Sequence, residues 1–599
     1  MNQDRSSTSG AGTDRDEIVV IGLLVGSVVL IAGGAWTSAI LGSRWAGLPV
    51  PPLNPVELAL GLGRGDVPWP WQSTAVAIGL ALALVVLVLL VFVLLGRRRR
   101  KRSRVDEAAK RMARGRDLAH LTAKGAGATA ARLGVTASPG LPIGKSLRTG
   151  QILYQGWEDV SVDTWGPRTG KSTSRAIPAI LAAPGAVMAT SNKRDLVDAT
   201  RDVRKSITGE DVWVFDPQGI VDEPSSWWWN PLTYVTDEVK AQMLADIFIS
   251  AGRDPNARTD AYFDGAASDL LAGLLLAAAV GGKPITEVYI WLTRPSDEEP
   301  VDLLREAGYP LIAANVAAVI GSPDKQRAGV FGSAQQTASF LTNKAATQWV
   351  VPGSGREFLP ADFVRSRSTL YSLSKEGRGS AGPLVTALTA AVTEAAEELA
   401  KTQPGGRLST PMVCVLDEAA NVVRWRELPN LYSHYGSRGI VIMTILQSWS
   451  QGVEVWGRDG MRKLWSAANT RVYGGGVSEA EFLGELRQLI GTRDIDQVSI
   501  SSGRGGRSRN RTPGGRTKDI LDVAELAALP RGRAVLFASG TPPVLIETMP
   551  WMTGPYAEHV RASIAAHDPA QEPLSTVPAA VTAATSTPVP ADPSKGWKP

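Results

Sequence analysis

A short stretch of this 599-residue chain has the residue types that bind nucleotide phosphates: Gly170-Lys171-Ser172, within DTWGPRTGKSTS. In a phosphate-binding loop (P-loop) the lysine contacts the β- and γ-phosphates, the serine coordinates Mg²⁺, and backbone N–H groups surround the anion. The pattern G-x-x-x-x-G-K-[ST] requires a glycine where this chain has Trp165. The motif alone therefore leaves two interpretations open, a nucleotide site with an unusual first residue and a chance match.

The residues around the motif favour a nucleotide site. VSVDTW predicts a strand, GPRTG a turn, and the residues from Lys171 onward a helix. A strand, a tight turn and a helix start together aim backbone N–H groups at a phosphate. The residues expected to bind the nucleotide are Gly166, Pro167, Arg168, Thr169, Gly170, Lys171, Ser172 and Thr173.

A second stretch, PMVCVLDEAAN, places Asp417 and Glu418 after an apolar run. ATP hydrolysis at a P-loop needs an acid at the end of a buried strand to hold Mg²⁺, here Asp417 together with Ser172. Glu418 is then expected to take a proton from the attacking water. Two solvated acids at a strand end are the alternative, but the presence of both elements favours an ATP- and Mg²⁺-dependent enzyme.

A third run, GIVIMTILQS, ends at Gln447. A polar residue at the end of a neighbouring strand either contacts the γ-phosphate or is simply the polar end of that strand. Spacing alone leaves both interpretations open.

The pattern of apolar runs predicts an α/β fold. Short runs of the kind found in buried strands of an open, mostly parallel sheet are separated by helical segments, and they are DVSVDTW, GAVMATS, DVWVFDP, STLYSLS, PMVCVLDE and GIVIMTILQS. The runs TRVYGGG, RAVLFASG and PVLIETMPW extend the sheet. Residues 234–344 have a helical pattern almost throughout and are expected to form an inserted all-α domain.

Two apolar runs near the start, 18–35 and 75–95, predict transmembrane helices. The net charge of +5 is concentrated in RRRRKRSR at 97–104, which has seven positive charges and leaves the rest of the chain at −2. By the positive-inside rule this run places the N-terminal tail 1–17 and the residues after 97 in the cytoplasm. The loop 36–74 then lies outside, and a cytoplasmic (inner) membrane location is expected.

The remaining segments are predicted from composition. Residues 96–150 are expected to form a basic juxtamembrane segment and linker, and 556–599 a helix followed by a disordered tail. The stretch 501–518 has six positive charges, no acid and no aromatic residue. It is either a flexible loop that contacts phosphates or a solvated disordered loop.

Taken in order, these motifs resemble the coupling proteins of type IV secretion systems, the TraG/TraD-like ATPases of conjugation. The resemblance rests on GPRTGKST, VFDPQG, WNPL, LYSLS, VLDEAAN and SRGIVIMTILQSWSQ, within 159–552. It implies a RecA-like P-loop domain over 151–233 and 345–555 that assembles as a homo-hexamer. Single-stranded DNA with an attached relaxase, relaxosome accessory proteins and secretion channel components are the implied partners.

The resemblance also implies site roles: Lys171 and Ser172 for the nucleotide and metal, Asp417 and Glu418 for the acidic pair, and Gln447 as phosphate sensor. Ring ATPases commonly complete a site with an arginine from the neighbouring subunit. Arg438 is the candidate, followed by Arg424 and Arg426.

Three other functions compete with DNA transfer: an ATPase of the same architecture that delivers only proteins, a double-stranded DNA pump, and a nucleotide-binding membrane scaffold without turnover. A double-stranded DNA pump is disfavoured because such pumps usually have more spans and a C-terminal winged helix. Glu418 argues against the scaffold, because a protein that only binds nucleotide needs no base.

Overall fold

The computed structural model describes residues 32–52, 54–100, 103–252, 261–353, 355–377, 380–503 and 506–569. They belong to two units, one ending at Ser103 and one beginning at Arg104. The first unit is helical over 32–45, Pro55–Arg64 and Trp71–Arg100. The predicted span 75–95 lies on the last of these helices, whose segment Trp71–Leu90 is long and apolar enough to cross a membrane and almost wholly unburied. Most of the predicted span 18–35 lies outside the described residues.

The second unit is built around an 11-stranded sheet. Its strands, with two further strand pairs, are β1 Leu141–Ser146, β2 Ile152–Gln155, β3 Ser161–Thr164, β4 Val187–Ser191, β5 Val212–Phe215, β6 Trp227–Trp228, β7 Arg356–Glu357, β8 Thr369–Leu373, β9 Met412–Leu416, β10 Ile440–Leu446, β11 Thr470–Tyr473, β12 Thr492–Gly503, β13 Gly506–Asp519, β14 Arg533–Ala538 and β15 Val544–Glu547. The order in the large sheet is β2-β1-β15-β14-β11-β3-β10-β9-β4-β8-β5.

The half of the sheet from β11 to β5 is parallel throughout. The six strands predicted from the principal apolar runs all lie in this half, so β3, β9 and β10 end at one edge, here called the carboxyl edge. The other four strands, β14, β15, β1 and β2, are antiparallel. The large sheet is therefore mixed, and the mostly parallel arrangement predicted from the sequence holds for the half that contains the motifs.

Helices cover the sheet and fill the interval between β6 and β7. Those of the interval are Glu238–Gly252, Ala261–Val280, Ile285–Thr293, Glu299–Glu306, Pro310–Ile320, Asp324–Thr337 and Lys344–Thr347, and its described residues contain no strand. The other helices of the second unit are Ala123–Arg132, Ile177–Ala182, Asp195–Thr208, Pro360–Phe363, Gly382–Lys401, Ala419–Val422, Leu428–Ser437, Trp449–Ala467, Ala480–Ile490, Val523–Ala527 and Ala557–His567.

The helices of the interval are continuous with the rest of the second unit. Leu275 and Trp291 belong to the same buried cluster as Met188 and Cys414 of the sheet. More than half of Phe263–Val280 is buried, although its length and composition would also suit a membrane span. This helix is therefore part of the core of the second unit.

The prediction that 96–150 form a linker is wrong for the carboxyl end of this segment. β1 begins at Leu141 and pairs with both β15 and β2. Two residues upstream of β1 are also held by the second unit: the carbonyl of Met112 accepts a hydrogen bond from Arg148 at 2.9 Å, and Asp106 pairs with Arg533 at 2.8 Å. The Gly- and Pro-containing sequence of β1 lacks a strong apolar pattern, and one of its two partner strands, β15, follows about 400 residues later in the chain.

The prediction of a basic loop at 501–518 is also wrong, because β12 and β13 form a long antiparallel hairpin there. Their pairing gives a separate two-stranded sheet. Polar, arginine-rich strands have no alternation of apolar residues, so the sequence pattern did not indicate them. The C-terminal helix predicted after 556 is found at Ala557–His567, and the tail from 570 lies outside the described residues.

The ends of β3 and β11 approach so closely that glycines are required there. Trp165, which follows β3, is 1% exposed, and its ring lies against Gly474. A Cβ atom at Gly474 would lie 2.0 Å from ring carbons of Trp165, and one at Gly166 would lie 2.0 Å from the carbonyl oxygen of Gly476. Trp165 is therefore a packing residue beneath the loop, which explains why the first position of the motif holds a large ring.

Gly474→Ala is expected to lower the free energy of unfolding by about 1–3 kcal/mol, because the methyl group overpacks the Trp165 ring. In a Trp165→Ala background the same change should cost much less. Urea unfolding of the four proteins of this double-mutant cycle measures the coupling. Purely additive effects would contradict the contact.

Candidate functional site

The P-loop leaves β3 at the carboxyl edge and is held there by backbone hydrogen bonds. The Trp165 N–H donates to the carbonyl of Leu446 on β10, and the Gly166 N–H donates to the carbonyl of Gly475, both at 2.9 Å. Arg168 and Gly170 have positive φ angles of 60° and 100°. These turns let the chain reverse between β3 and the following helix, as an anion-binding loop requires.

The helix after the loop begins with a π-helical turn over Ser172–Ala176 and continues as an α-helix over Ile177–Ala182. Arg175 in this turn pairs with Asp163 of β3 at 2.6 Å, and both side chains are at most 1% exposed. Arg175 also donates to the carbonyl of Pro142 on β1 at 3.0 Å. This buried pair fixes the helix to the strand on the other side of the P-loop.

Two buried carboxylates at the end of β9 face the P-loop lysine. The Lys171 ammonium pairs with Glu418 and lies 3.1 Å from Oδ1 of Asp417. The side chains of the two acids are each 4% exposed and that of Lys171 is 14% exposed. The structure thus brings together the lysine and both acids that the sequence predicted.

Glu418 is also bound by Gln447, which follows β10. Nε2 of Gln447 donates to both carboxylate oxygens at 2.6 Å. Glu418 has φ 55°, a left-handed conformation that is unusual for a residue other than glycine. Strained backbone of this kind is concentrated at functional sites, and here it directs the carboxylate toward Lys171 and Gln447.

Burial raises the pKa of Asp417 to about 6, although the Lys171 charge opposes the shift. Burial also tends to lower the pKa of Lys171, but the two carboxylates outweigh it and raise that pKa. At neutral pH the site therefore holds a charged Lys171 facing an ionised Asp417.

Ser172 and Asp417 fit the requirements of Mg²⁺. Oγ of Ser172 lies 3.5 Å from Oδ2 of Asp417, and both groups offer hard oxygen ligands. Within the described residues there is no cluster of three or more His, Cys, Asp or Glu side chains able to hold a metal. One carboxylate and one hydroxyl are what Mg²⁺ uses when phosphate oxygens and water complete its shell.

The candidate arginines lie apart from this cluster. Arg438 precedes β10, at the opposite end of that seven-residue strand from Gln447, and donates to the carbonyl of Gly406 at 2.9 Å. Arg424 pairs with Glu454 at 2.5 Å, and Arg426 is exposed. Arg424 and Arg426 follow the short helix Ala419–Val422, whose N-cap residue is Glu418. The partners described for Arg438 and Arg424 are thus Gly406 and Glu454, which lie outside the cluster of Lys171, Asp417, Glu418 and Gln447.

Sequence reasoning missed three supports of the site. They are the Asp163–Arg175 pair, the Gly474–Gly476 turn, and Glu479, whose carboxylate accepts hydrogen bonds from the N–H groups of Trp449 and Ser450 at 2.8 and 2.9 Å. Asp163 gave a signal, because an acid inside a buried strand needs a partner. The other two are long-range contacts that no local pattern indicates.

Magnesium-dependent nucleotide binding should weaken as the pH falls below about 6, because Asp417 must be ionised to bind the metal. Because burial raises the pKa of Asp417, protonation competes with Mg²⁺ at a higher pH than for an ordinary aspartate. Calorimetric titration of Mg·ADP between pH 5 and 8 measures the effect, with Asp417→Asn as the control that lacks this dependence. Equal pH profiles for the two proteins would contradict the assignment.

Comparisons with solved structures give distant likenesses. The unbound bacterial conjugative coupling protein TrwBdeltaN70 aligns with a TM-score of 0.49 and 16% identity over 67% of this chain and 86% of its own. The plasmid coupling protein TrwB in complex with ADP and Mg²⁺ aligns with a TM-score of 0.46 and 17% identity over 65% and 85%. VirB4 of Thermoanaerobacter pseudethanolicus aligns with a TM-score of 0.40 and 14% identity over 68% and 96%.

Sequence comparison finds a known family for one part of the chain. No curated protein matches the chain significantly. Residues 411–531, which contain Asp417, Glu418 and Gln447, match the family model described as the TraM recognition site of TraD and TraG. This match confirms the resemblance seen in the motifs for one segment of the chain: residues 411–531 are similar to the corresponding part of TraD and TraG.

Proposed function

We propose that this chain is a membrane-anchored ATPase that couples a relaxase–DNA substrate to a type IV secretion channel and drives single-stranded DNA transfer in conjugation. The observation that carries the proposal is the buried cluster of Lys171, Asp417, Glu418 and Gln447. Two of its strands lie within the segment that matches the coupling-protein family model.

The proposed chemistry follows from the position of each group. Lys171 leaves the acids to bind the β- and γ-phosphates. Ser172 and Asp417 would hold Mg²⁺, which would supply positive charge beside the transferred phosphoryl group. Glu418 then orients the attacking water and accepts its proton, while Gln447, which already contacts Glu418, reports the presence of the γ-phosphate.

The membrane anchor in this proposal is the helix Trp71–Arg100 together with the run 18–35. Every isoleucine, leucine and valine side chain from Ile78 to Leu90 is at least 41% exposed. A helix in water would have to bury so large an apolar surface. The basic run 97–104, which begins in the last turn of this helix, supports a location of the ATPase in the cytoplasm, at the inner membrane.

The proposed assembly is a homo-hexamer whose sites are completed by an arginine of the neighbouring subunit. Arg438 is retained as a candidate for this role, with Arg424 and Arg426. Arg438 lies at the opposite end of β10 from Gln447, as is expected of an arginine that serves the site of a neighbouring subunit.

In this proposal ATP is hydrolysed by the RecA-like domain, predicted at 151–233 and 345–555. The domain also includes β1, because that strand belongs to the same sheet. The helices of 234–344 face the cytoplasm and help to select cargo. Relaxosome accessory proteins and channel components are the partners, and delivery of protein cargo alone is the second candidate. The family model, described as a recognition site for a protein, favours neither cargo.

ATP hydrolysis by the full-length protein in lipid nanodiscs is expected to increase on addition of single-stranded DNA. Lys171→Ala should abolish the activity, because the phosphates lose their cation. Phosphate release measured with and without DNA tests both statements. Activity that DNA leaves unchanged would support protein cargo, and an inactive wild-type hexamer would contradict the motor.

The hairpin β12–β13 is expected to contribute phosphate contacts to DNA binding. β13 has arginine at positions 507, 509 and 511. Changing these three arginines to serine should reduce the salt slope of single-stranded DNA binding by about 2, at about 0.7 per contact. Ser508→Ala with Asn510→Ala, at the two positions between them, is the control, and equal slopes for the two variants would contradict the expectation.

A further inference from the structure

A carboxylate from a later part of the chain holds the start of the helix that follows Gln447. This helix, Trp449–Ala467, begins two residues after Gln447. One carboxylate oxygen of Glu479 accepts a hydrogen bond from the N–H of Trp449 at 2.8 Å, and the other accepts one from the N–H of Ser450 at 2.9 Å. The first N–H groups of a helix have no partner within the helix, so a carboxylate bound to two of them fixes where the helix starts.

The backbone of Gln447 is tied to the same helix start. Its N–H donates to the side-chain oxygen of Gln451 at 3.1 Å, and the N–H of Gln451 donates to the hydroxyl of Ser448 at 3.3 Å. The side chain of Gln447 meanwhile donates to Glu418. A displacement of the helix start therefore also moves the amide that contacts Glu418.

Glu479 belongs to a segment that also contacts the P-loop. The carbonyl of Gly475 accepts a hydrogen bond from the N–H of Gly166 at 2.9 Å. A Cβ atom at Gly476 would lie 2.5 Å from Cγ2 of Thr169, so the two backbones are in close contact. Glu479 follows Gly476 by three residues. One short segment thus contacts both the phosphate loop and the start of the helix after the sensor.

Aromatic packing joins the helix Trp449–Ala467 to the next helix, Ala480–Ile490, which begins directly after Glu479. The ring of Phe482 is stacked on that of Trp449, with centroids 5.1 Å apart and an angle of 21° between the planes. Its other neighbour is Trp465, which it meets edge-on at 5.6 Å. Phe482 is 3% exposed, so these contacts are buried. The two helices are therefore held together by the Glu479 carboxylate and by three rings.

The helix Ala480–Ile490 leads directly into the hairpin β12–β13. Only Gly491 lies between the helix and β12, and its carbonyl accepts a hydrogen bond from the N–H of Ile520 at 3.1 Å. Arg487 of the helix pairs with Asp519, the last residue of β13, at 3.5 Å. The twelve residues of β12 extend about 40 Å, so a small tilt of the helix becomes a larger displacement at the tip of the hairpin.

We infer that Glu479 is a positioning residue that links Gln447 to the hairpin β12–β13, so that the nucleotide at the P-loop sets the position of the hairpin. The inference rests on the proposed function and adds the connection between the phosphate site and DNA. Gln447 donates to Glu418, and the γ-phosphate oxygens of ATP, which ADP lacks, compete for the same amide. A change of partner at Gln447 moves the helix start, and Glu479 passes this movement to the helix Ala480–Ile490.

The test measures the affinity of the full-length protein in lipid nanodiscs for fluorescent single-stranded DNA, once with a non-hydrolysable Mg·ATP analogue and once with Mg·ADP. In the wild type the two Kd values should differ about 5- to 150-fold, the usual range of coupling between two sites. Glu479→Ala should bring their ratio close to 1 and leave the affinity for Mg·ADP unchanged, because the P-loop keeps its phosphate contacts. Glu479→Gln keeps the shape and one acceptor oxygen and should give an intermediate ratio.

Asp237→Ala is the matched control, because Asp237 is also a half-buried carboxylate at a helix start, where it accepts a hydrogen bond from the N–H of Lys240 at 2.9 Å. It should keep the wild-type ratio. A wild-type ratio close to 1, an unchanged ratio in both Glu479 variants, or an equal loss in Asp237→Ala would overturn the inference alone. A wild-type protein that binds no nucleotide or no single-stranded DNA would overturn the proposed function and this inference together.

Discussion

The candidate site depends on one ammonium group held by two adjacent buried carboxylates. Asp417 and Glu418 are neighbours in the chain, and with 4% exposure each they would repel one another without a cation. Lys171 supplies that cation from a different strand end. The pairing therefore requires β3 and β9 to end at the same edge of the sheet, separated by β10, whose own end contributes Gln447.

This arrangement gives each charged side chain of the site a defined partner. Both oxygens of Glu418 accept hydrogen bonds from Gln447, and the Lys171 ammonium pairs with one of them. In the proposed reaction, phosphates compete for Lys171, and its departure changes the charge around Glu418 at the moment when a base is needed. The supports beneath the loop, Arg175 with Asp163 and Trp165 against Gly474, keep the lysine in position while this exchange occurs.

The sequence predicted the parts of the fold that local patterns encode. Apolar runs ending in polar motifs identified the parallel strands, and the motifs identified the residues that meet at their ends. Local sequence patterns did not predict β1, which pairs with a strand distant in the chain. They also did not predict β12 and β13, a hairpin of mostly polar residues. The packing of Trp165 on Gly474 was also beyond sequence reasoning, because 309 residues separate the two and only the adjacent strand ends bring them together.

The most direct test of the central claim is to measure ATP binding and ATP turnover in the same preparation of Glu418→Gln. The account predicts that the variant, which keeps a similar shape and its contact with Gln447, binds Mg·ATP within about tenfold of the wild type. Turnover should fall by about 10²- to 10⁴-fold, the usual contribution of a general base. Turnover close to that of the wild type would contradict the role assigned to Glu418 and with it the account of the site.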